Sequence, residues 1–453
     1  MAVGLLRAGV AREVFEPELG TPVGGWGARA QHDAESRHQE LTVTALALSD
    51  DSGRPVVIVA GDVVLWPGET SARVREAVAE RCGLDPGAVQ LAGSHTHSSV
   101  MMDDLTIENW EHDGLCAAAR ELVEQITVKA AERAVGEMRR ARVESVRRPC
   151  PVTRSRRQWV GDRLVVGVAA PVDDAFLDVL AVSEVDGTPI ASVVVYGMHP
   201  TVLAWASLAF SPDYVGAIRE VVEPGLGGPC LFLQGCGADR APARSFSNSE
   251  SDADAVGRAV GYAAVSAVLE ERERSLETSF ERVLESGAPL AINSTSPPVP
   301  VPVPVAHRTE SLDMPLRPRD LAATRRRVEA ARAAVAGGDA ASSVELARAV
   351  IELDIAQRFP EDDITRVGVD VVDVGQLALV FWPGELSGAY EQLCQAGTDR
   401  HLILVTNAND YVNYLPAPHQ FAEGGYEVDS TPFAAAAGQV FVSSVTGLVP
   451  RAG

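Results

Sequence analysis

Two histidines one residue apart, in Gly93-Ser94-His95-Thr96-His97-Ser98, stand directly behind the apolar run Val89-Gln90-Leu91-Ala92. Imidazoles that emerge where a buried strand reaches the edge of its sheet lie where α/β proteins keep their chemistry. The pattern recurs along the chain. His199 follows the strand-like run 190–196 through Gly197-Met198, Asp62 follows 55–60 through Gly61, and Asp239 follows 230–233 through Gln234-Gly-Cys-Gly-Ala. Glu385 follows 377–381 through Trp382-Pro-Gly, and Tyr411 and Tyr414 follow 402–405. If these strands share a sheet edge, their terminal residues converge. Three histidines and a glutamate are ligands that zinc accepts, with one position left open for water when the metal is catalytic. Strand position alone leaves the alternative open, namely loop histidines satisfied by backbone and carboxylates that cap turns.

The elements that would hold these residues are legible in outline. Runs 41–48 and 55–60 are β-type and flank the turn Asp50-Asp51-Ser52-Gly53, which predicts a hairpin. Further strands are expected at 163–168, 177–185, 190–196, 367–374, 377–381 and 402–405. Apolar positions at helical spacing predict helices over 70–83, 115–142 and 250–274. The Gly/Pro-rich stretch 7–29 reads as a structured loop near the site. The tract 296–305, in which proline alternates with valine, must be extended. The expected fold is α/β: a large mixed β-sheet domain with covering helices and a metal site at strand ends. Residues 1–453 form one domain in this reading, with 317–358 as a helical hairpin inserted on its outside, interrupted near Gly337-Gly338.

Composition narrows the partners. Sixty-two acidic against 39 basic residues give a formal charge of -23, the wrong sign for tracking nucleic acid phosphates or an anionic membrane. No apolar run approaches the roughly 20 residues that span a bilayer, and the N-terminus does not read as a signal peptide. The six cysteines, Cys82, Cys116, Cys150, Cys230, Cys236 and Cys394, form no Cys-x-x-Cys and read as buried free thiols. A cytoplasmic enzyme acting on a small-molecule substrate is the expectation.

Five segments raise the metal reading further: Ser94-His-Thr-His-Ser98, Tyr196-Gly-Met-His-Pro200, Gln234-Gly-Cys-Gly-Ala-Asp239-Arg-Ala-Pro242, Pro383-Gly-Glu385 and Asn409-Asp-Tyr-Val-Asn-Tyr414. In order and approximate spacing they resemble the motifs of the neutral/alkaline (non-lysosomal) ceramidases. Arg7-Ala-Gly-Val-Ala-Arg12 and Gly24-Gly-Trp-Gly27 resemble that family's opening. The resemblance covers the catalytic domain, without the family's C-terminal β-sandwich domain. It implies one zinc ion held by His95, His199, Glu385 and Tyr414. It also implies that His97 contacts substrate or developing charge, helped by Arg154 of Thr153-Arg154-Ser155, where threonine replaces the family's asparagine. Tyr411 keeps a packing role, and Arg156 and Arg157 read as a solvated strand edge.

The chain departs from the family at the serine of the Gly-Asp-x-Ser-Pro motif. Aligning Asp239 and Pro242 puts Ala241 there and Ala238 at the preceding glycine, while Ser245 has the wrong spacing. A zinc-activated water needs no serine, because the metal both polarises a carbonyl and acidifies water. The reaction expected is therefore zinc-dependent hydrolysis of an amide C–N bond in a small soluble N-acyl or amide compound of specialised metabolism. His97, Arg154 and Asp239 are its catalytic candidates, with Asp239, like Asp62, orienting ligands or loops. Zinc-dependent acyl transfer or cyclisation, and a metal-binding homologue without activity, are the rival readings.

Overall fold

The computed structural model describes residues 3–26, 33–102, 113–337, 342–359 and 363–450. Residues 27–29 of the expected N-terminal loop and Gly338 lie outside them. The first long strand, β1 (Val3–Phe15), runs through much of the segment read as a loop. Leu6, Ala8 and Val10 face one core and Ala11 and Phe15 another, so the strand is buried on both sides. Gly9 is where helix packs on it: a Cβ there would meet the Ala134 carbonyl oxygen at 2.1 Å.

The expected hairpin forms as β2 (Leu41–Ser49) and β3 (Val56–Gly61), paired antiparallel. β4 (Val89–Gly93) then pairs parallel to β3. The helix expected over 115–142 ends early, at Gly136, and Arg139–Pro149 is a strand, β5. Ala141 and Val143 alternate with Arg140 and Arg142 at a period of two, with Val146 turned to the opposite core, and that pattern decides against helix. β6 (Phe176–Glu184), β7 (Pro189–Tyr196) and β8 (Cys230–Gln234) complete the path β8-β7-β6-β5-β1-β2-β3-β4 of a nine-stranded mixed sheet. The ninth strand, Val301–Pro302, belongs to the proline tract and pairs with β1.

On one face lie α1 (Gly68–Cys82), α2 (Asp113–Gly136), α3 (Tyr214–Leu226) and α4 (Glu250–Arg274). On the other face lies a second sheet of four strands, β9 (Val305–Pro315), β10 (Ile364–Val374), β11 (Leu377–Phe381) and β12 (His401–Val405). Leu379, Phe381, Ile403 and Val405 meet the first sheet, whereas Ala378, Val380, Leu402 and Leu404 meet an outer layer that includes α7 (Ala437–Leu448). Strands so placed are apolar on both faces, which is why 377–381 reads as a continuous hydrophobic run. Residues 317–358 contain two helices, α5 (Leu321–Ala336) and α6 (Ser342–Arg358). Among the described residues no helix is long and apolar enough to cross a membrane.

The connectivity poses a problem that the site depends on. β4 and β7 run in opposite senses along the sheet path, so on a flat sheet their C-terminal ends would lie at opposite edges. A twist of about 20° per strand accumulates to well over 100° across the sheet and brings them round. The segment after β12 clasps the two edges. Thr406 N–H donates to Gln234 O at the end of β8 (2.8 Å), Gly93 N–H donates to Asn407 O (3.1 Å), and Ala408 bridges Ala92.

Candidate metal centre

His95 leaves the end of β4 in a left-handed conformation (φ 67°), held by hydrogen bonds from Ser94 N–H to Gly61 O and from His95 N–H to Val63 O. Asn407, Asn409 and Asn413 adopt the same conformation nearby (φ 54°, 65° and 64°). Left-handed residues with side chains cost about 1–3 kcal/mol each and gather at functional sites. Asn409 is anchored through Oδ1, which accepts from Leu91 N–H at 2.8 Å, and through Nδ2, which donates to Asp370 and Gln90. Glu385 and Tyr414 are brought together by two short parallel strands, Glu385–Leu386 and Tyr414–Leu415, in which they are direct partners.

The three imidazoles share one arrangement. Nδ1 of His95 faces Val64 O (2.9 Å), Nδ1 of His97 faces Gly25 O (3.3 Å), and Nδ1 of His199 faces Gly237 O (2.7 Å). A carbonyl oxygen only accepts, so each Nδ1 carries the proton and each Nε2 presents a lone pair. One nitrogen from each ring falls within 4.8 Å of the other two, and the Nε2 atoms of His95 and His97 are buried without a hydrogen-bond partner. Glu385 lies between two of the rings, its Oε1 3.4 Å from His95 Nε2 and its Oε2 3.0 Å from His199 Nε2. Acceptors facing acceptors in a buried site repel unless a cation stands between them. The donor set of imidazole nitrogen and carboxylate oxygen thus fits a metal ion of the zinc type.

Gly25 makes the His97 contact possible. Its φ is +86°, and a Cβ there would come within 2.5 Å of His97 Nδ1.

The electrostatics follow from burial. His97 is held neutral well below the ordinary histidine range by burial and by the neighbouring His95 and His199 rings. Burial, and then Arg156, bring His199 down to about 4. Burial and the nearby Glu385 carboxylate keep the Tyr411 and Tyr414 phenols protonated.

Three residues take positions that differ from expectation. Arg156 is buried: Nη1 donates to His199 Nε2 (2.8 Å), Nε donates to Glu427 Oε1 (2.8 Å), and the guanidinium lies 5.5 Å from the Tyr414 ring centroid. Arg157 is also turned inward, pairing with Glu427 Oε2 at 2.6 Å, so neither is a solvated edge. Burial and Glu427 drove this, and Glu427, far along the chain, carried no signal that tied it to Arg156. Tyr411 donates through its hydroxyl to Glu385 Oε1 at 2.8 Å, a contact beyond packing.

The remaining candidates lie around this centre in supporting positions. Arg154 is half-buried on the strand Thr153–Ser155, opposite Ala241, and among the described residues its side chain makes no hydrogen bond or ion pair. The carboxylate of Asp239 is fully engaged, accepting from Ser387 Oγ (2.6 Å), Gly388 N–H (2.8 Å) and Gln420 Nε2 (2.6 Å). It therefore holds the turn behind Glu385. Asp62 accepts both Arg219 Nη2 (2.7 Å) and Thr42 N–H (2.8 Å), and it joins strand to helix. Among the described residues the cysteines form no disulfide; Cys82 and Cys116 are half-buried and the other four buried.

No protein-family model matches the chain, and no curated protein matches it by sequence. Its structure is similar to the crystal structure of neutral ceramidase from Pseudomonas aeruginosa, with a TM-score of 0.67 and 18% identity over 99% of this chain and 76% of that one. It is also similar to a ceramidase complexed with C2, with a TM-score of 0.66 and 18% identity over 98% and 76% of the two chains. The likeness shows that this chain has the fold seen in neutral ceramidase.

Proposed function

We propose that the protein is a zinc-dependent hydrolase that cleaves the amide C–N bond of a small N-acyl or amide substrate. What carries this reading is the pair of buried Nε2 atoms of His95 and His97, without hydrogen-bond partners among the described residues, gathered with His199 beside the Glu385 carboxylate. The shared fold supports it. His95, His199, Glu385 and Tyr414 would hold the metal. When bound, zinc polarises a carbonyl and lowers the pKa of water toward 7.

The chain's own residues supply the rest. His97 Nε2 is buried beside His95 and His199 with no hydrogen-bond partner among the described residues, so it is placed to accept a proton and return it to the leaving amine. The balance is simple: carbon gains the water oxygen, the C–N bond breaks, and the amine departs with the proton. Arg156 Nη2 is buried beside Tyr414 with no close hydrogen-bond partner among the described residues and stands ready to donate to the oxyanion, the role first expected of Arg154. Tyr411 orients Glu385, and Asp239 holds the turn behind it. Nothing in this scheme calls on a hydroxyl at Ala241. A single catalytic domain, with α5 and α6 as an insert, and a cytoplasmic setting in keeping with cysteines that form no disulfide complete the proposal.

The test is elemental analysis of purified protein combined with a mass-based screen of N-acyl compounds. Turnover should add one water across the amide, disappear with a zinc chelator and return with zinc. Full activity in metal-free protein would sink the reading, and a product lacking the added water would turn it toward acyl transfer.

A further inference from the structure

The wall of the centre beside His97 is aromatic. Trp26 is tilted against His97 with ring centroids 5.2 Å apart, and it meets Trp205 and Phe246 edge-on at 5.9 and 5.7 Å. Trp205 and Phe246 are themselves 5.7 Å apart, so the three rings close into one cluster that begins at a histidine of the centre.

This cluster is held in place at some cost. Trp205 is 41% exposed, yet its loop is tied down on both sides: Ala204 and Ala206 N–H both donate to Asn248 Oδ1 (2.9 and 3.2 Å). Phe246 N–H donates to Thr201 O and Asn248 N–H to Val202 O. Phe246 and Asn248 both take left-handed backbone (φ 66° and 57°), a conformation that residues with side chains adopt only when their surroundings demand it. Strained backbone that keeps a large indole out of the core, beside a candidate metal centre, points to a ligand that covers the indole. The Trp26 Nε1–H is buried and has no acceptor among the described residues, which adds a donor to an otherwise apolar surface.

We propose that Trp26, Trp205 and Phe246 form the subsite that receives an apolar, ring-sized end group of the substrate, and that Trp205 sets the preference for it. The inference rests on the metal-dependent reading above for what lies next to the subsite. It narrows the substrate to amides carrying an aromatic or comparably broad apolar group close to the scissile carbonyl.

Calorimetric titration with acetohydroxamic and phenylacetohydroxamic acids tests this, because both present the same metal-binding group and only one carries a ring. The wild type should bind the phenyl compound about tenfold or more tightly than the acetyl one. Trp205→Ala should reduce that ratio to about twofold or less while acetohydroxamic acid affinity and zinc content stay unchanged, and Trp205→Phe should restore part of it. Equal affinities in the wild type, or a ratio unaltered in Trp205→Ala, overturn the subsite. If the protein holds no metal and neither hydroxamate binds, the metal reading fails and N-benzylacetamide reads the subsite alone. Binding lost in Trp205→Ala then supports the subsite, and equal binding or none in both forms overturns it.

Discussion

Two of the clusters of histidine, carboxylate and arginine among the described residues are put together in opposite ways. Between the sheets, Arg147 grips Asp178 through Nε and Nη2 (2.8 and 2.7 Å), and its remaining donors reach Gln395 and the Leu402 carbonyl. His401 Nε2 lies 2.6 Å from the same carboxylate and Nδ1 lies 3.2 Å from Ser145 Oγ, so both ring nitrogens are engaged. At the strand ends, by contrast, the Nε2 atoms of His95 and His97, one oxygen of Glu385 and one nitrogen of Arg156 are buried without hydrogen-bond partners among the described residues. A satisfied polar network joins elements together, whereas buried groups left unsatisfied in concert mark a place built for something else. Residue type does not separate the two clusters. The count of unanswered donors and acceptors does.

That contrast can be broken most sharply with histidine substitutions. His199→Ala should abolish stoichiometric zinc and lower turnover at least about 100-fold, while His401→Ala should leave zinc content unchanged, as read by elemental analysis. Arg156→Ala should lower kcat by about 100- to 1000-fold with zinc retained, because Arg157 still answers Glu427; Arg154→Ala should change it little. Equal effects of the two would return the role to Arg154.

Asp178→Asn should act on stability alone, costing about 3–5 kcal/mol in thermal or denaturant unfolding with zinc content intact. Burial opposes the Asp178 charge, but Arg147 and His401 outweigh it and its folded-state pKa lies below the ordinary value. The stabilisation is therefore fully present above the unfolded pKa of about 3.9 and is lost as pH falls through the lower folded value, so Asp178→Asn should flatten the acid limb of the stability curve. The smallest effect expected is that of Gly25→Ala, about 1–3 kcal/mol from left-handed strain, with a loss of turnover as His97 is pushed aside and zinc kept by the other ligands. Loss of zinc in that variant would make His97 a ligand.

Much of the site could be read from residue order, because each candidate follows an apolar run and a small residue. His95, His199 and Glu385 come together as the strand-end reading anticipates. The asparagines at 407, 409 and 413 also carried a signal, since asparagine tolerates the left-handed turn that clasps the sheet. β1 and β5 were hidden for opposite reasons. Glycine and arginine in 3–15 mask a strand sandwiched between two cores, and the helix-forming composition of 115–136 runs straight into the alternating pattern of β5.

What the sequence determined by itself was local: which runs are strands, which residues stand at their ends, and that imidazole, carboxylate and phenol are among them. Only the tertiary structure decided which of them meet. Twist accumulated across the long sheet brings ends that connectivity separates to one place, and the 406–409 clasp holds them there. It also turned Arg156 inward beside His199, because its partner Glu427 lies 271 residues away along the chain, and no spacing rule reaches that far.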